Sequence, residues 1–177
     1  MKKICAVIVL LTSASLSGCV FSQEVGESIC LLPKGFEGPV FIIFGQKDGL
    51  NPTVENGRHV YVIPSSGILK TKAEVNFRIK ENEFYYLMPN GERIKIEYLY
   101  PGGNAWQDKA FTEDKVDLNK DEIYVFSDVM GSTTDKQGKE VRFRQFLVGK
   151  LKDKLKLHSE SERKVSIAMD SIVHLEP

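Results

Sequence analysis

The residue with the clearest chemical role is Cys19, because its neighbours suit a thiol that becomes modified. A branched apolar residue and two small residues precede it, Leu16–Gly18. A thiol is a nucleophile that can accept a lipid, and small side chains let the peptide enter a protease site. Further upstream, Lys2 and Lys3 are followed by the apolar run Ile4–Leu11. This order is typical of a secretory signal peptide, and the run is shorter than the roughly 20 residues that span a membrane.

The segment Leu16–Cys19 resembles the bacterial lipobox. The resemblance implies a diacylglyceryl thioether on Cys19 and cleavage after Gly18, whereas an ordinary secretory signal with an incidental cysteine is the alternative. Each buried acyl methylene contributes about 0.8 kcal/mol, so two or more acyl chains anchor a protein stably. The sequence therefore predicts an exported protein, held in the bacterial cell membrane or outer membrane by membrane lipid on Cys19.

The predicted processing divides the chain into a signal peptide (residues 1–18), a tether (19–27) and a single β-rich domain (28–177). Removing the signal peptide from the 177 residues leaves 159, which is enough for one domain with its own core. The signal peptide contains two lysines, so 22 basic residues remain beside 24 acidic ones. A nearly neutral chain gives no electrostatic reason to expect nucleic acid as a partner. Cys30 would be the last thiol, which excludes an internal disulfide, and we interpret it as a buried apolar residue.

Most of the predicted domain shows β-strand signals, with β-branched and aromatic runs bounded by Gly, Pro and Asn turns. The turn Pro89–Gly91 lies between two apolar runs and predicts a hairpin. Few segments have a helical period, so the sequence predicts a mainly β fold, either an antiparallel β-sandwich or an open barrel. The predicted strands are Ser28–Leu32, Pro39–Phe44, Arg58–Ile63, Ile68–Thr71, Glu83–Met88, Glu92–Tyr98, Glu122–Phe126 and Val141–Val148.

The C-terminal region carries two patterns that predict different structures. A short C-terminal helix is predicted by a capping-box pair and then apolar residues near helical spacing: Ser159 and Glu162, then Val165, Met169, Ile172 and Leu175. The segment before it, Lys150–Leu157, alternates lysine and leucine, which predicts a strand with one basic and one apolar face. Such a face could contact anionic lipid or wall polymer, although an edge strand protected by lysines is the more common meaning.

One segment approaches the pattern of a calcium-binding loop. Asp117, Asn119 and Asp121 place carboxylate and amide oxygens at alternate positions, and Asp128 falls at the twelfth position of such a loop. However, Glu122 stands where the loop needs glycine for a sharp turn. We therefore interpret the segment as a polar turn that leads into a strand.

No other pattern predicts a metal or catalytic centre. His59, His158 and His174 are far apart in the sequence, and none has a second ligand at metal-binding spacing. The nucleophile motif G-x-S-x-G is missing from the sequence. The sequence thus predicts no catalytic residues, no metal and no cofactor.

An aromatic segment is the best candidate for contact with a ligand. Tyr98, Tyr100 and Trp106, the single tryptophan, surround the glycine pair that follows Pro101. Exposed aromatic rings on a β domain can stack on sugars or peptides. The alternative is a loop whose tryptophan folds back over the core, as large aromatic side chains commonly do.

A longer resemblance covers Leu31 to Lys72. Three strings carry it: Leu32–Val40 (LPKGFEGPV), Gln46–Gly49 (QKDG) and Tyr61–Thr71, with the pattern Y-x-I-P-x-x-G-I-L-x-T. They resemble an uncharacterised domain family of exported bacterial proteins and lipoproteins, for which no activity is established. The rhythm is also loosely similar to transthyretin-like and carboxypeptidase-regulatory-like β-sandwiches, and this second similarity implies a sandwich but no function.

Together these patterns predict a lipid-anchored cell-envelope protein whose domain binds a partner without catalysis. The expected partner is an envelope protein or a polysaccharide. The alternative is a hydrolase that acts on envelope material through carboxylates brought together by the fold. A concave pocket with three or more convergent polar groups would favour the enzyme, and a flat surface bordered by loops would favour the binding domain.

Overall fold

A computed structural model of the chain describes residues 28–75, 82–99, 118–135 and 138–173. Within these residues the fold is mainly β, with nine strands in one sheet and one C-terminal helix. The helix α1 spans Lys154–Val173 and follows a short 3-10 turn at Leu151–Asp153. The strands are β1 (Ser28–Pro33), β2 (Gly38–Ile43), β3 (Thr53–Glu55), β4 (Arg58–Val62), β5 (Ile68–Lys70), β6 (Glu83–Leu87), β7 (Arg93–Tyr98), β8 (Ile123–Thr134) and β9 (Glu140–Lys150).

The sheet is mixed, and its strand order is β3-β4-β1-β6-β7-β8-β9-β2-β5. The pairs β3/β4, β6/β7, β8/β9 and β2/β9 are antiparallel, whereas β1/β4, β1/β6, β7/β8 and β2/β5 are parallel. The prediction of a purely antiparallel sheet is therefore wrong. Parallel neighbours need long crossover connections, so tight turns such as Pro89–Gly91 report only on the antiparallel pairs.

The sheet curls into a half-barrel around an apolar interior. Its first half (β3-β4-β1-β6-β7) joins its second half (β8-β9-β2-β5) where β7 pairs with β8 over two residue pairs. The rings of Phe84 and Phe146 lie 5.0 Å apart between centroids, so the two halves face each other. The interior is formed by Cys30, Leu32, Val40, Ile42, Phe44, Tyr61, Ile63, Leu69, Phe84, Ile96, Val125, Phe146 and Val148.

A salt bridge on the first half also reflects the curl. Arg93 of β7 donates to Glu55 of β3 at 3.0 and 2.9 Å, although β4, β1 and β6 lie between these strands. In a flat sheet, four inter-strand spacings would separate β3 from β7 by roughly 19 Å. The two side chains can therefore meet only because the sheet is strongly curved.

Helix α1 packs on the outer face of the second half. Strand β2 is buried on both faces, since Val40 and Ile42 face the interior while Phe41 and Ile43 face the helix. On the helix, the residues that pack against this face and its neighbours are Leu157, Val165, Ala168 and Met169. Strand β2 thus reads as a continuous apolar run because it is covered on both sides.

The predicted C-terminal helix is confirmed, but its start is not. The helix begins at Lys154, so Ser159 lies inside it and cannot be its N-cap. The segment Lys150–Leu157 is also not a strand, because β9 ends at Lys150 and the chain turns into the helix. The alternation of lysine and leucine is consistent with a strand, but in the observed helix Leu157 packs on the sheet and Leu155 is exposed.

The remaining elements agree with those predicted from the sequence, apart from the residues at which they begin or end. Each of the eight predicted strands corresponds to an observed one, although β8 extends to Thr134 rather than ending at Phe126. Strand β3 was not predicted, since Thr53–Glu55 is only three residues long and is polar at both ends. In the described part of the chain, no helix combines the length and the apolar character needed to cross a membrane.

Candidate functional site

The interior of the half-barrel contains a buried ion pair that depends on a β-bulge in β8. The register of β8 on β9 shifts between Phe126 and Val129, so Ser127 and Asp128 together oppose one residue of β9. A bulge of this kind changes the face to which the following side chains point. Val125 faces the interior, and the bulge lets Asp128, three residues later, face it too. Ser127 adopts a positive φ of 53° at this point.

Arg144 of β9 is the partner of Asp128. Its Nε donates to Oδ1 of Asp128 at 2.8 Å, and its Nη2 donates to Oδ2 at 2.5 Å. The side chains are 5% and 0% exposed, so water does not screen the pair. Burial alone would lower the pKa of Arg144, but the adjacent Asp128 carboxylate raises it above its usual range. The guanidinium therefore stays charged and is bound in a bidentate manner.

Two more polar residues complete this group, which we call the arginine cluster: Ser28, Asn82, Asp128 and Arg144. Nη1 of Arg144 donates to Oγ of Ser28 at 2.9 Å. Oγ of Ser28 in turn donates to Oδ1 of Asn82 at 2.6 Å, and the backbone N–H of Ser28 donates to the same oxygen at 3.0 Å. The cluster thus ties the first residue of β1 to both halves of the half-barrel.

Aromatic rings and a thiol surround the guanidinium of Arg144. The rings of Phe84 and Phe146 have their centroids 5.3 and 5.4 Å from its central carbon, a range that allows cation–π attraction. Sγ of Cys30 lies 3.9 Å from Nη1. Burial raises the pKa of Cys30 to about 11 despite the nearby positive charge. This thiol is protonated at neutral pH, which fits a structural residue better than a nucleophile.

The charged groups of the arginine cluster are already hydrogen-bonded within the cluster, which limits the chemistry that they can perform. The carboxylate of Asp128 accepts two hydrogen bonds from Arg144, and the guanidinium also donates to Ser28. A buried pair of this kind does not by itself indicate net stabilisation, but removal of one partner leaves an uncompensated charge. The arrangement is suited to fixing the positions of four chain segments rather than to transferring protons.

The two histidines that the structure describes, His59 and His158, do not lie in one site. Nδ1 of His59 lies 3.2 Å from the hydroxyl of Tyr61, and both residues are on β4, which pairs with β1. Burial lowers the pKa of His59 and raises that of Tyr61. His158 lies on α1, with Nε2 at 3.4 Å from Oγ of Ser127, and His174 is outside the described residues. Among the residues that the structure describes, no group of three His, Cys, Asp or Glu could hold a metal ion.

The segment that resembles a calcium loop is a turn leading into β8, where the structure describes it. Oδ1 of Asn119 accepts the backbone N–H of Asp121 at 3.0 Å, which is the geometry of an Asx turn. The carboxylate of Asp121 binds Nζ of Lys152. Asp128 points into the interior toward Arg144, so it does not converge with Asp121, and Asp117 is outside the described residues.

Of the aromatic residues proposed to contact a ligand, Tyr98 is described and lies against the core. Its ring is tilted on Phe84 with centroids 5.1 Å apart. It is the last residue of β7 and is partly buried. Tyr100 and Trp106 lie outside the described residues, as does Cys19.

The comparisons with known proteins place the chain in a family. A family of unknown function, DUF6843, matches residues 24–157. The chain belongs to this family. The match confirms the expectation of an uncharacterised domain family, and no curated protein matches the chain. A crystal structure of a candidate lipoprotein from Bacillus anthracis is 18% identical, covers 70% of this chain and 69% of its own, and gives a TM-score of 0.48.

The arginine cluster was not predicted, although β9 carries a signal for it. Arg142, Arg144, Phe146 and Val148 alternate along β9 and therefore share one face. A charged residue on the same face as Phe146 and Val148 indicates either a surface strand or a buried pair. The sequence does not choose between them, because the partner Asp128 reaches the interior only through the bulge in β8.

Proposed function

We propose that this member of the family is a lipid-anchored protein of the cell envelope, and that its domain acts by binding rather than by catalysis. The observation that carries the proposal is the position of Cys19 in the segment Leu16–Cys19. It stands at the end of a signal peptide and nine residues before Ser28, where the described fold begins. The proposal includes a single domain over residues 28–177.

The attachment of β1 supports a tether at this end of the chain. Ser28 is held by Asn82 and Arg144, and β1 lies between β4 and β6 rather than at an edge. A chain pulled from the membrane side therefore acts on a strand fixed by the arginine cluster. The proposed anchor would therefore pull on a strand held inside the sheet and not on a loosely held chain end.

The environment of the interior polar groups supports binding over catalysis. Cys30 has a raised pKa, and Arg144 and Asp128 neutralise each other. Active sites commonly hold groups whose pKa values lie near the working pH.

The partner that we propose is an envelope protein or polysaccharide, and Tyr100 and Trp106 are the aromatic residues that would contact it. Fluorescence of Trp106, the single tryptophan, gives a direct titration for such a partner, and Trp106→Phe should abolish the signal.

The anchor is tested by metabolic labelling with a radioactive or clickable fatty acid in the expressing cell. We expect the wild-type chain to be labelled and retained in the membrane fraction. Cys19→Ala should lose the label because the thioether cannot form. Cys30→Ala is the matched control, since it removes a buried thiol and should leave labelling unchanged. Equal labelling of wild type and Cys19→Ala would contradict the proposed anchor.

A further inference from the structure

Four lysines lie close in the sequence to an exposed leucine where β9 ends and α1 begins. We call Lys150, Lys152, Lys154, Leu155 and Lys156 the lysine patch. Lys152, Lys154 and Lys156 are exposed, and Leu155 is 86% exposed, more than the other exposed large apolar residues of the described chain. An apolar side chain in water beside several cations is typical of a surface that meets a membrane interface.

Helix geometry explains why Leu155 must point outward. Residues two apart on an α-helix differ by roughly 200° around its axis. Leu157 is buried against Tyr124, Phe126 and Leu147 of the sheet. Its burial therefore directs Leu155 to the opposite side of α1. Lys152 precedes Leu155 by three residues and so lies beside it on the same face.

The charges in this region are arranged at a cost to the helix. The first turn of α1 contains no acidic residue, whereas Lys154 and Lys156 both stand near its N-terminus. Cations there oppose the helix dipole. Three carboxylates lie nearby, since Asp121 binds Lys152, Glu160 lies 3.9 Å from Lys156, and Asp153 is within the turn. Four lysines against Asp153 within seven residues still leave the segment positive.

We propose that the lysine patch binds the anionic headgroups of the membrane that carries the lipid anchor, with Leu155 entering the interface. This inference rests on the proposed lipidation of Cys19. The tether between Cys19 and Ser28 can extend at most about 30 Å. Ser28 contacts Arg144, which is six residues or about 20 Å along β9 from Lys150. The anchor and the lysine patch can therefore reach the same membrane surface.

The test uses the lipidated full chain in vesicles of phosphatidylcholine, alone or mixed with phosphatidylglycerol. Leu155→Cys is labelled with an apolar fluorophore, since Cys19 is blocked by lipid and Cys30 is buried. Quenching by spin-labelled lipid then reports contact with the membrane. Asn90→Cys, in the exposed turn between β6 and β7, carries the label in the control protein.

We expect the label at position 155 to be quenched in anionic vesicles and much less in neutral ones, and high salt should reverse the quenching because it screens the charges. Each lysine near an anionic surface contributes roughly fivefold to binding, so Lys152→Gln, Lys154→Gln and Lys156→Gln together should weaken docking roughly 100-fold. The matched triple variant Lys34→Gln, Lys72→Gln and Lys95→Gln removes the same charge from other exposed positions and should retain the quenching.

The outcomes separate the patch from the anchor. If the protein floats with phosphatidylcholine vesicles but positions 155 and 90 are quenched equally in anionic vesicles, the patch proposal is wrong while the anchor stands. If the protein does not float with phosphatidylcholine vesicles, the anchor is wrong and the patch proposal, which depends on it, fails as well. Equal quenching in the two triple variants would also overturn the patch proposal.

Discussion

Two arginine–carboxylate pairs in this fold are both bidentate but have opposite surroundings. Arg144 binds both oxygens of Asp128 at 2.8 and 2.5 Å, with side chains 5% and 0% exposed. Arg93 binds both oxygens of Glu55 at 3.0 and 2.9 Å, with side chains 33% and 41% exposed. Arg144 uses Nε and Nη2 and also donates to Ser28, whereas Arg93 uses Nη1 and Nη2. Exposure to water makes the two pairs energetically different, because water screens the exposed pair and solvates either partner if the other is lost.

The two pairs also differ in what the chain must do to form them. Arg144 and Asp128 meet because a bulge with a residue at positive φ turns Asp128 inward. Glu55 and Arg93 are long side chains on an exposed surface and meet across a curved sheet. A buried charge carries a large desolvation cost. We infer that the interior pair fixes the register of β8 and β9, whereas the surface pair follows from a fold already formed.

The largest expected effect is the loss of one partner of the buried pair. Arg144→Met should lower the free energy of unfolding by about 3–5 kcal/mol, because Asp128 would remain as an unpaired buried charge. The double variant Arg144→Met with Asp128→Leu should recover most of this loss, since apolar residues of similar size replace both charges. Urea denaturation followed by circular dichroism measures the differences. A single variant as stable as wild type would show that Asp128 is not effectively buried.

The second expected effect concerns Cys30, which lies beside Arg144. The thiol is buried and its pKa is raised to about 11, so an aromatic disulfide reagent should react with it only when the domain opens. We expect Arg144→Met to accelerate this reaction by orders of magnitude and Arg93→Gln to leave it unchanged. A fast reaction in the wild-type chain would contradict the burial of Cys30. Reductant should not change the melting temperature, because the proposed processing and lipidation leave Cys30 without a second thiol to pair with.

The sequence predicted the parts of the fold that are governed by local patterns. Pro89–Gly91 formed the expected hairpin turn, and β2 read as a strand because it is apolar throughout. The parallel pairings of β1 were not predictable, since they depend on strands distant in sequence. The start of α1 was missed for a different reason. Its buried stripe begins at Leu157 and continues through Ser161 and Ala168, two small residues that do not register as apolar periodicity.

The candidate sites also differ in whether a local sequence pattern specifies them. The proposed lipid attachment at Cys19 rests on a pattern of four consecutive residues, so one sequence is enough to predict it, and it remains a prediction. The arginine cluster joins residues as far apart as Ser28 and Arg144 and depends on the bulge at Ser127. No local pattern specifies such a group, and it became visible only in the three-dimensional arrangement.

A smaller effect is expected for the exposed pair. Arg93→Gln should shift the urea midpoint by only a small fraction of the shift caused by Arg144→Met, because Glu55 is then solvated at little cost. The shift should become smaller still in high salt, which screens exposed charges. A shift as large as that of Arg144→Met would mean that the surface pair holds the curvature of the first half of the sheet.

The smallest effect is the pH dependence of the exposed pair. The hydrogen bonds from Arg93 lower the pKa of Glu55 below its ordinary value of 4.5, and hydrogen bonds from Tyr85 and Arg142 lower those of Glu83 and Glu140. A carboxyl group whose folded pKa is lowered adds stability above its unfolded pKa, and that stability is lost as the pH falls through the folded pKa. Wild type should therefore be slightly more stable than Glu55→Gln at neutral pH, and the gap should close below about pH 4.5. Melting temperatures of the two proteins measured between neutral and acidic pH test this. A gap that stays constant down to the lowest pH would show that Glu55 acts through packing rather than through its charge.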